Sequence, residues 1–155
     1  MPNAADPHPV REVQPADRAE WARMRLALWP HLTPEEYESE VQQMPGPDHP
    51  ELAAVFVAPR AEGGLCGFLE LSVRSYAEGC SGPTPYVEGW YADPDVRGRG
   101  VGAALVEAAE RWAAGRGYRE MASDALLENV DSHRAHAALG FEEVERAVHY
   151  RKDIG

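Results

Sequence analysis

One run of the chain, Asp93-Pro94-Asp95-Val96-Arg97-Gly98-Arg99-Gly100-Val101-Gly102-Ala103, gathers groups suited to binding an anion. Gly98, Gly100 and Gly102 let the backbone turn sharply and present successive N–H groups. A helix starting at Val101 adds the unpaired donors of its first turn and the positive end of its dipole. Arg97 and Arg99 add full charge, and the expected ligand is a pyrophosphate. Two patterns compete. Gly98-x-Gly100-x-x-Ala103, with Asp124 about 20 residues on, follows the dinucleotide fingerprint. Against it, Asp93 to Arg97 separate the preceding strand from the glycines, and the chain shows no second nucleotide-binding half. The other pattern is an Arg-x-x-Gly-x-Gly/Ala loop, Arg97 to Gly102. A glycine-rich turn with solvated arginines is the bland alternative.

Carboxylates and aromatics supply the second set of candidates. Glu88 lies inside the apolar run Tyr86-Val87-Glu88-Gly89-Trp90-Tyr91-Ala92, where a carboxylate needs a partner or a purpose. An ion pair or an exposed sheet face would also account for it. Asp124 falls at the C-terminal end of a short predicted strand, the end at which parallel strands bind ligands. Trp21 fits a helix core position, whereas Trp29, next to Pro30 at a helix end, is a candidate for a cleft wall. Taken alone, Tyr76 reads as a loop aromatic and Glu145 as a solvated strand residue. Cys66 and Cys80 could be bridged but read better as a reduced pair, and no Cys/His spacing suggests a zinc site.

The elements that must carry these groups follow from pattern. Pro9 to Gln14 alternates weakly and predicts a first edge strand. Asp17 reads as an N-cap, with Glu20 completing a capping box, before a helix to about Trp29. Thr33-Pro34-Glu35-Glu36 starts a second helix, to about Met44. Leu52–Ala58 and Leu65–Ser75 form an antiparallel hairpin, the second strand alternating Phe68, Glu70, Ser72 with Leu69, Leu71, Val73. A loop from Tyr76 to Pro85 leads to the strand Tyr86–Ala92. The next helix carries Val101, Ala104, Leu105, Ala108, Ala109 and Trp112 on one stripe and stops at Gly115-x-Gly117. A short strand over Arg119–Ala125 is then parallel to Tyr86–Ala92, because a helix joins them. A helix over Asn129–Leu139 and a final strand over Phe141–Tyr150 complete an α+β class with mixed pairing.

The totals narrow the partners. The chain has 155 residues, 15 basic and 26 acidic, for a formal net charge of −11. Nucleic acid and anionic membrane are poor partners for such a chain, and a cationic substrate is a natural one. No 18-residue apolar run predicts a membrane span. Residues 1–8 read as a loose segment without the features of a signal peptide, which points to the cytoplasm, and residues 9–155 as one domain.

The order βααβββαβαβ with the glycine loop after the fourth strand resembles the GCN5-related N-acetyltransferase fold. Within it the chain resembles the aminoglycoside 6′-N-acetyltransferases. The residues that carry this are Met24-Arg25-Leu26-Ala27-Leu28-Trp29-Pro30, Val87 to Tyr91, Glu120-Met121-Ala122-Ser123-Asp124, Glu128-Asn129 with Ser132, His136 to Arg146, and Tyr150-Arg151-Lys152. The resemblance spans nearly all of the chain after residue 8. It implies a central, mostly antiparallel sheet whose parallel strand pair splays around acetyl-CoA, with no metal.

It also implies roles. The backbone of Trp90, Tyr91 and Ala92 would pair with the pantetheine arm. Arg97, Gly98, Arg99, Gly100, Val101, Gly102 and Ala103 would hold the pyrophosphate, and Asn129 would bond the pantetheine. Glu88, Asp124 and Glu145 would hold substrate amines, while Trp29 and Tyr76 would face the sugars. Asp124 is the first candidate to take the proton of the attacking ammonium, through water, and Glu88 the second. A backbone N–H near Tyr91–Ala92 would stabilise the oxyanion. His136 stands where the superfamily often has a tyrosine that protonates the departing thiolate; it would donate that proton or only contact CoA. Direct transfer in a ternary complex is expected, with neither cysteine as nucleophile. The resemblance further implies a homodimer in which the final strand pairs or swaps across the interface. The chain departs from the pattern at Trp90, where a β-branched residue is usual, and in the short Ser75–Pro85 loop. The alternatives are transfer to another amine, such as a polyamine, and a non-catalytic acyl-CoA-binding module.

Overall fold

A computed structural model of the chain describes residues 8–155. The predicted loose segment, His8 excepted, lies outside the described residues. Val55, Phe56 and Val57 are strong strand formers, and they centre β2 (Ala54–Pro59), which pairs antiparallel with β3 (Leu65–Arg74). β3 pairs antiparallel with β4 (Thr84–Ala92), and the two-residue β1 (Arg11–Glu12) pairs antiparallel with β2 at the edge. β5 (Ala122–Ser123) lies parallel to β4, so the five-stranded sheet runs in sequence order.

Period-two alternation gives the sheet two apolar faces. Val55, Val57 and Phe68 pack against α1 (Arg18–Leu28) and α2 (Pro34–Glu40), where Trp21, Met24 and Tyr37 are buried. Ala54, Phe56, Leu69 and Leu71 pack against α3 (Val101–Gly115), through Val101, Leu105 and Ala109. α4 (Val130–Ala138) follows β5, and His136 and Phe141 at its C-terminal end reach toward the Trp90 side. Among the described residues no helix is long and apolar enough to cross a membrane.

Helix starts behave partly as expected. At α2, Thr33 Oγ1 accepts from Glu36 N–H at 3.2 Å and Glu36 returns the bond to Thr33 N–H at 2.7 Å, with Pro34 at the first position. The box predicted between Asp17 and Glu20 does not form. Pro15–Asp17 makes a 3-10 turn, so the box closes one turn earlier, between Gln14 and Asp17, and Asp17 also takes both guanidinium nitrogens of Arg11. Glu20 instead accepts from the Leu65 N–H across the fold. α2 also stops at Glu40, short of the predicted Met44.

The final strand is the largest difference. Residues 141–155 carry neither helix nor strand, and Val144, Val148, Tyr150 and Ile154 are exposed. Alternation can favour a pleated backbone, but a strand needs an edge to pair with. β5, predicted over Arg119–Ala125, is only two residues long. Both cysteines are free: Cys66 is buried, its thiol donating to the Ala58 carbonyl at 3.4 Å, and Cys80 is half-buried.

Candidate active site

The central feature of the site is a break in strand register. Glu70 of β3 faces Gly89, but the next residue, Leu71, faces Val87. Glu88 is therefore an extra residue, the inserted member of a β-bulge. Regular alternation would have given Glu88 the parity of Trp90, whose ring lies on the α3 side, its Nε1–H donating to the Gly102 carbonyl at 3.2 Å. The bulge instead turns Glu88 toward Ser72 and Arg74, on the face covered by α1 and α2. Its Oε1 accepts from Ser72 Oγ at 2.6 Å, and both carboxylate oxygens take Arg74 at 2.9 Å. Burial pushes this carboxyl up, but the Arg74 and Ser72 hydrogen bonds outweigh it and hold Glu88 below the usual carboxylate range.

Asp124 joins the same face. The Tyr86 hydroxyl donates to its Oδ2 at 2.7 Å, and Arg74 lies over the Tyr86 ring at 3.5 Å. One arginine thus touches both Glu88 and the tyrosine that holds Asp124. Burial and the bond to Asp124 both raise the Tyr86 hydroxyl above its ordinary range, so it stays a donor. Asp124 itself is exposed. Trp29 closes α1 and stands edge-on to Phe68, with ring centroids 6.2 Å apart. A Cβ on Gly89 would come within 2.6 Å of the Trp29 ring, so glycine is what lets the indole lie on β4.

The opposite face carries the anion-binding groups. Gly98 and Gly100 have φ of 77° and 86°, in the left-handed region, with nothing among the described residues within 4 Å of the place a Cβ would take. Gly100 is the N-cap of α3, and no side chain caps the helix. Arg99 is exposed, and Arg97 bonds the Ala92 carbonyl at 3.0 Å. An open, positively lined cradle of this kind fits a pyrophosphate. Above it, the parallel pairing of β4 with β5 ends at Val87↔Ser123. From Glu88 to Ala92 that edge of β4 is unpaired among the described residues, which leaves strand hydrogen bonds for an extended ligand.

Asn129 caps α4 through Oδ1, which accepts from the Ser132 N–H at 3.1 Å, and its amide nitrogen has no protein acceptor among the described residues. His136 lies edge-on to Trp90, 5.2 Å between ring centroids. Its Nδ1 is 2.7 Å from the Ser132 carbonyl, which can only accept, so the Nδ1 carries hydrogen; Nε2 is 2.7 Å from Ser123 Oγ. Among the described residues, no group of three or more His, Cys, Asp or Glu could hold a metal ion.

Glu88, Asp124 and Trp29 are thus brought together, and Trp90, His136, Asn129 and the glycine loop form a second group. Tyr76 is 67 % exposed on its loop. Glu145 is exposed on the C-terminal segment, with no ion pair or hydrogen bond among the described residues. Two features escape sequence pattern. Arg74, the clamp on Glu88, looks like any exposed strand arginine. Asp93, at the exit of β4, is buried and takes Arg23 at 3.0 Å, Arg60 at 2.9 Å and the Tyr91 hydroxyl at 3.0 Å. These bonds tie α1 and the β2–β3 hairpin to the start of the glycine loop. The two arginines are 70 and 33 residues away, beyond the reach of any local motif.

Comparison with known proteins adds independent findings. The model of the Acetyltransferase (GNAT) family matches residues 18–141. Aminoglycoside N(6')-acetyltransferase type 1 of Klebsiella aerogenes is 47% identical over 146 residues, covering 94% of this chain and 96% of that protein. The protein of the same name from Stenotrophomonas maltophilia is 42% identical over 94% and 93% of the two chains. Among solved structures, AAC(6')-Iy in complex with the bisubstrate analogue CoA-S-monomethyl-acetylneamine superposes with a TM-score of 0.81 at 37% identity, covering 94% of this chain and 98% of that one. AAC(6')-Ih from Acinetobacter baumannii gives a TM-score of 0.81 at 30% identity over 95% and 99%.

Proposed function

The chain belongs to the GNAT acetyltransferase family, and from that premise we propose that it transfers the acetyl group of acetyl-CoA to the 6′-amine of aminoglycoside antibiotics. The observation that carries this reading is the bulge in β4, which sets Glu88 and Asp124 on one face just where the β4 edge comes free. Support comes from the similar solved protein whose bound analogue joins CoA to acetylneamine.

Acetyl-CoA supplies an activated thioester carbonyl. Gly98 to Ala103 hold its pyrophosphate with Arg97 and Arg99, the backbone of Trp90 to Ala92 pairs with the pantetheine, and Asn129 donates to it. On the other face Glu88, Asp124 and Glu145 hold ammonium groups, and Trp29 and Tyr76 lie against the sugars. Because Arg74 and Ser72 keep Glu88 ionised, it acts first as a seat for positive charge. Asp124, exposed and held by one tyrosine, takes the proton of the attacking amine through water. A backbone N–H near Tyr91–Ala92 stabilises the developing oxyanion. For His136 the reading is a proton donor to the departing thiolate. The step needs the imidazolium form: Nδ1 keeps its hydrogen on the Ser132 carbonyl, and Nε2, beside Ser123, gives its own proton to the thiolate and is left as an acceptor. The amine attacks directly, and the buried Cys66 and the loop residue Cys80 form no covalent intermediate.

Residues 9–155 work as one cytoplasmic domain, and two copies form a homodimer through the C-terminal segment. The exposed Val144, Val148, Tyr150 and Ile154 support that arrangement.

Release of CoA thiol by the purified protein tests the reading, with kanamycin or tobramycin, which carry a 6′-amine, against paromomycin, which carries a 6′-hydroxyl. Turnover with the amines alone is expected. Turnover with all of them would move the acetylated nitrogen. Turnover with none, but with another amine such as a polyamine, would replace the substrate class.

A further inference from the structure

Glu70, 1 % exposed, lies in the middle of β3 and has no part in the chemistry above. Its cross-strand neighbours are Val55 and Gly89. Its Oε2 accepts from Trp21 Nε1–H at 2.8 Å and lies 3.3 Å from Arg25 Nε. The second contact is ionic rather than a hydrogen bond: Arg25 Nε is buried and has no hydrogen-bond partner among the described residues. Arg25 is the hub of what lies above. Its guanidinium sits 5.3 Å from the Trp29 ring centroid and 5.6 Å from that of Tyr37, and its other arm pairs with Glu40 at 3.0 Å. The Tyr37 hydroxyl in turn donates to the Trp29 carbonyl. Trp29 thus meets the sheet at Phe68 and Gly89 and is backed by this arginine.

We propose that Glu70 is a positioning residue for the substrate face: by seating Arg25 against the Trp29 and Tyr37 rings, it sets where the indole stands over Gly89 beside Glu88, and so sets how tightly an aminoglycoside is held. The inference rests on the assignment of Trp29 to the aminoglycoside face. Three arguments carry it. A buried carboxylate costs free energy unless it is paired, so a bare structural role would be better filled by an apolar side chain. The pair sits directly beneath the aromatic wall rather than at the sheet edge. Finally, cation–π contacts depend on the position of a planar guanidinium, which a fixed counter-charge supplies.

The same geometry gives the wall a pH response. Burial, opposed by Arg25 and the Trp21 hydrogen bond and reinforced by Glu40 and Glu88, pushes Glu70 up to about 7. The charged groups around it are Arg25 on α1, Glu40 on α2 and Glu88 on β4, with the Tyr37 hydroxyl nearby. As pH falls through that value Glu70 gains a proton, and Arg25 loses its counter-charge from below while keeping Glu40. His31 stands edge-on to Tyr37, with ring centroids 6.4 Å apart, and is left unchanged in the variants below.

The test uses the full chain labelled with 5-fluorotryptophan, the Trp29 resonance being assigned by its loss in Trp29→Phe. Glu70→Gln, which keeps the shape and His31, is expected to shift that resonance and abolish its titration near neutral pH. It is also expected to raise the aminoglycoside KM about 5- to 10-fold while the acetyl-CoA KM stays within about twofold. Arg25→Lys keeps the charge and loses the planar face, and is expected to give the same KM split even if Glu70→Gln folds poorly. An unmoved Trp29 resonance with an unmoved aminoglycoside KM overturns the proposal, as does a titration that survives in Glu70→Gln. A Trp29→Ala protein with unaltered aminoglycoside KM would instead remove the wall assignment itself. A raised KM in Trp29→Ala with no effect of Glu70→Gln or Arg25→Lys removes only the role of Glu70.

Discussion

The two carboxylates at the site have unequal freedom. Glu88 is clamped by Ser72 and both arms of Arg74, whereas Asp124 holds a single bond from Tyr86 and is open to water. A group that accepts a proton must give up part of its existing hydrogen bonding, and Asp124 has less to give up. Asp124→Asn is therefore expected to lower kcat by roughly 10²- to 10⁴-fold while acetyl-CoA still binds. Steady-state kinetics beside calorimetric titration of acetyl-CoA would check this, and unchanged turnover would move the base elsewhere.

Elements divide the ligands between them. In the proposed function the glycine loop and the start of α3 take the anion, and α1 with α2 face the cation. Arg97→Ala is accordingly expected to weaken acetyl-CoA about tenfold, roughly 1.4 kcal/mol, with little change for the aminoglycoside. Equal losses for both ligands would contradict the assignment. Much of the scaffold behind this proposal was legible in the chain. The run Arg97 to Gly102 has a local signature, because turn geometry and a helix start are set by adjacent residues. The α3 stripe from Val101 to Ala109 and the alternation in β3 were legible for the same reason. The position of Glu88 was seen but its face was not, since a bulge is decided by pairing with β3 and leaves no mark in the period of β4. Asp17 and Glu20 were misread as one box because both are drawn to partners elsewhere, Arg11 and Leu65. The final strand was read from alternation alone, which records a tendency and not the presence of an edge. Arg74, Asp93 and Glu70 were invisible as functional groups because distant partners give them meaning.

At the scale of the whole molecule, the unpaired C-terminal segment asks for company. Val148→Asp combined with Tyr150→Asp is expected to convert the proposed dimer to a monomer of unchanged fold. Light scattering would measure the mass and circular dichroism the fold; a dimer that survives both changes would place the interface elsewhere. The shortness of the β4–β5 pairing has a further consequence. Among the described residues only Tyr86↔Ala122 and Val87↔Ser123 close the sheet there, so the sheet is a septum with a notch. In the proposed reading the polycation loads from the α1–α2 side and the polyanion from the α3–α4 side, and they meet at the notch. Neither ligand stands in the other's doorway, so no order of arrival is imposed. Initial-rate plots are expected to intersect, and a dead-end analogue of either substrate should compete only with its own counterpart. A compulsory order would mean that loading one side reshapes the other across the sheet.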